Sequence, residues 1–177
     1  MLEQGYGALT SRSVAERIGL RHQLVYYYFQ TMDDLVIATF RRHMDRFMQR
    51  LEDALKSERP LHAYWEVSAN PPHGALAKEF MSLANHNEQI RGEMAAYGER
   101  SRRLAVESLS GRLQKVAPEP EVFTPYAILM AINSMALVMT FDSSLGISSG
   151  HVEMRQLVEW CLRRLEPEPV SPVQQLA

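Results

Sequence analysis

The pentad Gly146-Ile147-Ser148-Ser149-Gly150 has the G-x-S-x-G form of a hydrolase nucleophile elbow, with Asp142 and His151 beside it as apparent partners for acyl transfer. That chemistry needs a buried strand delivering the serine into a helix. Here a Met- and Ala-rich helical stretch precedes the pentad, and His151 adjoins it in sequence, whereas a triad draws its partners from elsewhere in the fold. The pentad therefore reads as a solvent loop between two helices, and no enzyme activity is expected. His22, His43, His62, His73, His86 and His151 include no i, i+4 pair and no His-Glu-x-x-His, so no metal site is expected. Gly5-Tyr6-Gly7 lacks a third glycine and a preceding strand, and no cofactor is expected.

The segment from Leu9 onward points to a different chemistry. Thr10 is placed to cap a short helix over 11–18, with Val14, Ala15 and Ile18 on one face and Gly19 as its left-handed stop. After a corner at Leu20 and Arg21, a second short helix over 22–29 carries Val25 and Phe29 inward. Two short helices at such a corner have the dimensions of a helix-turn-helix, whose second helix can enter a major groove about 12 Å wide.

These helices must be held by the rest of the chain, and its 177 residues are enough to bury a sizeable core. The composition is that of an ordinary globular protein, with 46% hydrophobic residues and a net charge of −2, which excludes polyanion binding through bulk charge. The single cysteine, Cys161, excludes a disulfide framework and fits a reducing cytoplasm. The first ten residues lack the form of a signal peptide. The longest apolar stretch, 126–141, is interrupted by Asn133, Ser134 and Thr140, short of the ~20 residues that span a bilayer, so no membrane contact is expected.

Periodicity is helical almost everywhere, which predicts an all-α fold. Thr31-Met32-Asp33-Asp34 has capping-box form and opens a helix over 33–55 with an apolar stripe from Val36 through Leu51. Further helices are predicted over 61–68, 75–84, 88–116, 125–142 and 151–165, with Thr124-Pro125 as a helix start. The helix over 125–142 is apolar nearly all round, so it must be covered on two sides. The domain expectation is a head over 1–44, a body over 45–165 and a disordered tail over 166–177.

From Leu9 to Leu35 the stretch LTSRSVAERIGLRHQLVYYYFQTMDDL closely resembles the DNA-binding signature of the TetR family of bacterial repressors. It has the Leu-Thr opening pair, the apolar-Ala pair, the Gly-apolar corner, the aromatic run and the acidic-acidic-Leu start of the long helix. The resemblance implies a DNA-reading head on a helical body that binds a small molecule and dimerises, hence a cytoplasmic repressor acting on double-stranded operator DNA. It brings Thr10, Ser11, Arg12, Arg21, His22, Gln23, Tyr26 and Tyr27 to the DNA. Arg12 suits a bidentate contact to guanine, Gln23 can pair with adenine, and a tyrosine ring can meet a thymine methyl. The alternative for Tyr26 and Tyr28 is interfacial core.

The sequence departs from the family pattern at Arg21, where a capping serine is usual, at Leu24, where a small or hydroxylated residue is usual, and at Met32, where lysine is usual. Residues 1–44 carry five arginines against four acids, so binding through counterion release should be modest. A full helix precedes the Leu-Thr pair in the family, yet residues 1–8 contain Gly5 and Gly7. Most of that helix is expected to be missing and the head to be loosely ordered.

The chain's ten methionines and fifteen aromatic residues suit a body with a cavity for a small apolar effector. The candidate lining is Trp65, Phe80, Met81, Met94, Tyr97, Met130 and Asn133, although any one methionine on a helical stripe is more often core. The Asn133 amide needs a partner, which a backbone group, a dimer mate or a ligand could supply. A homodimer is expected through Met135, Val138, Met139, Val158 and Leu162. The competing function is a helical ligand-binding or interaction protein that has lost operator binding.

Overall fold

The Thr10 hydroxyl accepts the Ser13 N–H at 3.0 Å while the Thr10 N–H donates to Ser13 Oγ at 2.9 Å, a reciprocal cap that starts the first helix. In the computed structural model, residues 9–69 and 71–167 are described, the side chains of 71–75 excepted, and no strand occurs among them. The helices are α1 (Ser11–Arg17), α2 (His22–Tyr28), α3 (Met32–Leu55), α4 (Pro60–Ser68), α5 (Pro71–Ala84), α6 (Glu88–Val116), α7 (Pro125–Ser144) and α8 (His151–Leu165). Residues 1–8, expected to hold a poor remnant of a first helix, and 168–177, most of the expected tail, lie outside the described residues.

Local signals place several helix ends. Gly19 stops α1 at φ +68°, a left-handed conformation that favours glycine. Thr31 and Asp34 cap α3 reciprocally, with the Asp34 N–H donating to Thr31 Oγ1 at 3.1 Å and the Thr31 N–H to Asp34 Oδ2 at 2.9 Å. Thr124 accepts the Ala127 N–H at 3.2 Å to open α7, with Pro125 at its first position. Three starts differ from expectation: α3 begins at Met32 rather than 33, α4 at Pro60 rather than 61, and α5 at Pro71 rather than 75. Prolines fit the first turn of a helix because their missing N–H has no intrahelical partner there.

The chain divides into two compact units, Met1–Arg50 with Pro71–Ser101, and Leu51–Asn70 with Arg102–Ala177. The first unit packs Val36, Ile37 and Phe40 of α3 against Phe80 and Ala84 of α5 and Ile90 of α6. Phe40 meets Phe80 edge to face at 4.8 Å and Tyr97 at 5.7 Å between ring centroids. Polar links tie α3 to α6 in the same unit: Asn87 Nδ2 donates to Asp33 at 3.1 Å, Arg41 pairs with Glu93, and the Tyr97 hydroxyl donates to Asp45 at 2.8 Å. The hydrogen bond from Arg41 holds the Glu93 carboxyl below its usual range. Burial, and then the Asp45 carboxylate, push the Tyr97 phenol up.

In the second unit α4 packs on α7 and α8. Its core includes Leu61, Tyr64 and Trp65 of α4, Leu109 and Leu113 of α6, Leu129 and Ile132 of α7, and Val158 and Leu162 of α8. Glu166, the first residue of the expected tail, is only 8% exposed, and its carboxylate accepts the Leu61 and His62 N–H groups at 3.0 and 3.1 Å. At 20 residues, α7 extends past the stretch that looked too short to cross a bilayer, and by length and composition it is long enough to do so. Its inner arc, Ile128, Leu129, Ile132 and Ala136, is buried in this unit.

Candidate nucleic-acid interface

α1 and α2 pack on each other inside the first unit, and Ser11, Ala15 and Val25 are the residues of these helices that are buried. With ~100° per residue, fixing Val25 inward sets the direction of every other side chain on α2. Gln23 and Tyr27, one turn apart, lie nearly opposite Val25 and face out. His22 and Tyr26 take one flank, Leu24 and Tyr28 the other. Tyr26, Tyr27 and Tyr28 are 54%, 79% and 69% exposed, so these rings are available to a partner rather than consumed as core. Tyr27 and Tyr28 meet edge to face at 5.2 Å, which braces the outward ring.

The expected contact residues separate into two groups. Arg12, Arg21, His22, Gln23, Tyr26 and Tyr27 are exposed. Thr10 spends its hydroxyl on the α1 cap, and Ser11 is buried. Arg21 flanks α2 in extended conformation with no side-chain cap, because a guanidinium has no acceptor to offer the free N–H groups of the first turn. Ile18, expected inward, is 58% exposed beyond the end of α1, where the chain turns at Gly19. Leu20 and Leu24 are also exposed, so the corner and one flank of α2 present apolar surface. Leu24, one of the departures from the family pattern, is 39% exposed, as its ~100° offset from Val25 requires.

Farther along α3, His43 is half-buried, and burial first, then Arg50 and Arg46, hold its imidazole pKa below the ordinary value.

The expected effector residues do not share one unit. Phe80, Met81, Met94 and Tyr97 belong to the first unit, and Trp65, Met130 and Asn133 to the second. Phe80 is wholly buried against Phe40, Met94 and Tyr97 pack on the same core, and Trp65 is buried in the second unit. Met81, Met130 and Asn133 are exposed. A groove of about 330 Å³ lies instead along α7 and α8, lined by Phe123, Ile128, Ala131, Met135, Cys161 and Leu165 among others and by none of those seven.

Among the expected dimer residues, Val138 is exposed, Met135 and Met139 are half-buried, and Val158 and Leu162 are each 1% exposed within their own chain. Tyr126, Met130, Leu137 and Phe141 continue the exposed side of α7, and Leu157 and Trp160 are exposed on α8. At the loop before α8, His151 Nε2 stands 3.5 Å from Asp142 Oδ2, and the His151 N–H bonds the Ser148 carbonyl at 3.2 Å. Ser148 follows a helix there, with none of the strand that a nucleophile elbow requires.

Residues 1–39 match the family model described as bacterial regulatory proteins, tetR family. The match takes in α1, the Gly19 corner, all of α2 and the capped start of α3. No significant match was found among curated proteins or solved structures.

Proposed function

We propose that this chain, whose residues 1–39 carry the tetR-family head of a DNA-binding transcription regulator, works as a homodimeric cytoplasmic repressor released by a small apolar effector. The observation that carries the proposal is the outward presentation of Gln23 and Tyr27 on α2, opposite the buried Val25. Such a helix can lay its first turn against base edges while Arg12 and Arg21 reach phosphates or bases.

Residues 1–44 act as the reading head and 45–165 as the regulatory body. In the dimer the exposed side of α7, with Val138 at its edge, meets the same face of a second copy, which sets two recognition helices about 34 Å apart over a palindromic operator. The nearly all-apolar groove along α7 and α8 supports an apolar effector. The effector relieves repression only by the difference between its affinities for the DNA-binding and released conformations.

One observation favours the second reading, a helical ligand-binding or interaction protein without an operator: α2 lacks a side-chain cap at Arg21. Selection of binding sites from random duplex DNA, followed by mobility shifts at low and moderate salt, separates the two. The repressor reading expects a palindromic site whose affinity falls with salt. Recovery of no common site would favour the second reading.

A further inference from the structure

We propose that Leu24 is a base-reading residue that recognises the C5-methyl group of a thymine in the operator. The inference rests on the DNA-binding reading above and deepens it. Leu24 is the third residue of α2, in the first turn, where a recognition helix brings side chains to base edges. Val25 occupies the inward position, so the leucine beside it lies about 100° round the helix on a flank, and it is 39% exposed.

An isobutyl side chain has no donor or acceptor, so it cannot hydrogen-bond a phosphate oxygen or the polar edge of a base. The major groove edge offers one apolar feature, the methyl group of thymine. Against that methyl, Leu24 loses its own exposure to water and covers the thymine's. Against the amino group of cytosine or adenine it would displace water without replacing the hydrogen bond, which is unfavourable. Leu24 thus selects both by attraction and by exclusion. Its neighbours divide the remaining work: Gln23, nearly opposite Val25, is placed for a bidentate amide contact to adenine, and His22 lies on the other flank. The exposed apolar flank that Leu24 gives α2 is on this account a working surface.

The test uses an operator selected from random duplexes with the full chain, in which each thymine is replaced in turn by uracil. That replacement removes the methyl group and leaves base pairing intact. One symmetric position per half-site should weaken binding about fourfold, the worth of one buried methylene-sized group, and about fifteenfold when both half-sites carry uracil. Leu24→Ala should bind the thymine and uracil operators equally, and Leu24→Thr, with a smaller apolar contact, should show a reduced ratio. Circular dichroism melts of both variants should match the parent, because the side chain is outside the core.

If no thymine responds to uracil in the parent chain, or if Leu24→Ala retains the full uracil penalty, the assignment is overturned while operator binding stands. If selection returns no operator, the DNA-binding reading fails and Leu24 has no base to read.

Discussion

His62 donates its Nδ1 proton to the Glu166 carboxylate at 2.7 Å, across 104 positions of sequence. The same carboxylate accepts the N–H groups of Leu61 and His62, so a residue just beyond α8 caps the start of α4, which has no side-chain cap from Arg59. Arg59 contacts the other ring nitrogen of His62, which fixes the tautomer with the proton on Nδ1.

Glu166→Ala should therefore lower stability by about 1–3 kcal/mol, since it strands donors at a helix start and a partly buried imidazole N–H. Glu166→Gln, which keeps an acceptor, should cost less. Urea unfolding checks both, and an alanine variant no worse than the glutamine variant would contradict the capping role.

Phe80 and Met81 are sequence neighbours with opposite fates. Phe80→Ala should cost about 3–5 kcal/mol through the cavity left beside Phe40. Met81→Ala, at a 49% exposed position, should stay within about 0.5 kcal/mol of the parent. Similar losses in the two variants would mean that Phe80 does not fill this core.

Gln23→Ala should weaken binding to the selected operator by about 1–3 kcal/mol and leave binding to random DNA nearly unchanged. Mobility shifts on both DNAs provide the comparison. Equal losses would make Gln23 a phosphate contact rather than a base reader.

Val138 is 55% exposed on α7, at the edge of the face proposed to meet a second copy over more than ~1,200 Å². Val138→Glu places a charge at that contact and should convert the dimer to monomer in sedimentation velocity. An unchanged dimer would move the interface elsewhere.

Stability should also depend on His43. Burial and the nearby arginines lower its folded pKa, so on acidification the unfolded chain takes up the proton first. The stability linked to this residue is fully present above the ordinary histidine value of about 6.5 and declines as pH falls through it toward the lower folded pKa. Denaturant melts across that window should show the decline, and His43→Gln should flatten it. An identical slope in the variant would assign the acid sensitivity to other groups.

The sequence by itself determined the features whose interactions close within a few residues. Thr10 with Ser13, the Gly19 turn, Thr31 with Asp34, and Thr124 with Pro125 are hydrogen-bonding and dihedral constraints that act before any tertiary contact forms. The helix-turn-helix was legible for the same reason, and so was the outward face of α2 once Val25 was placed inward. Tertiary structure decided which covered faces meet. Periodicity marks Phe40 and Phe80 as buried but does not pair them, and it groups Trp65 with Phe80 as candidate lining although they belong to different units. Nor could it place Glu166 at the start of α4, because a carboxylate capping a helix 104 positions away depends on the path of the whole intervening chain.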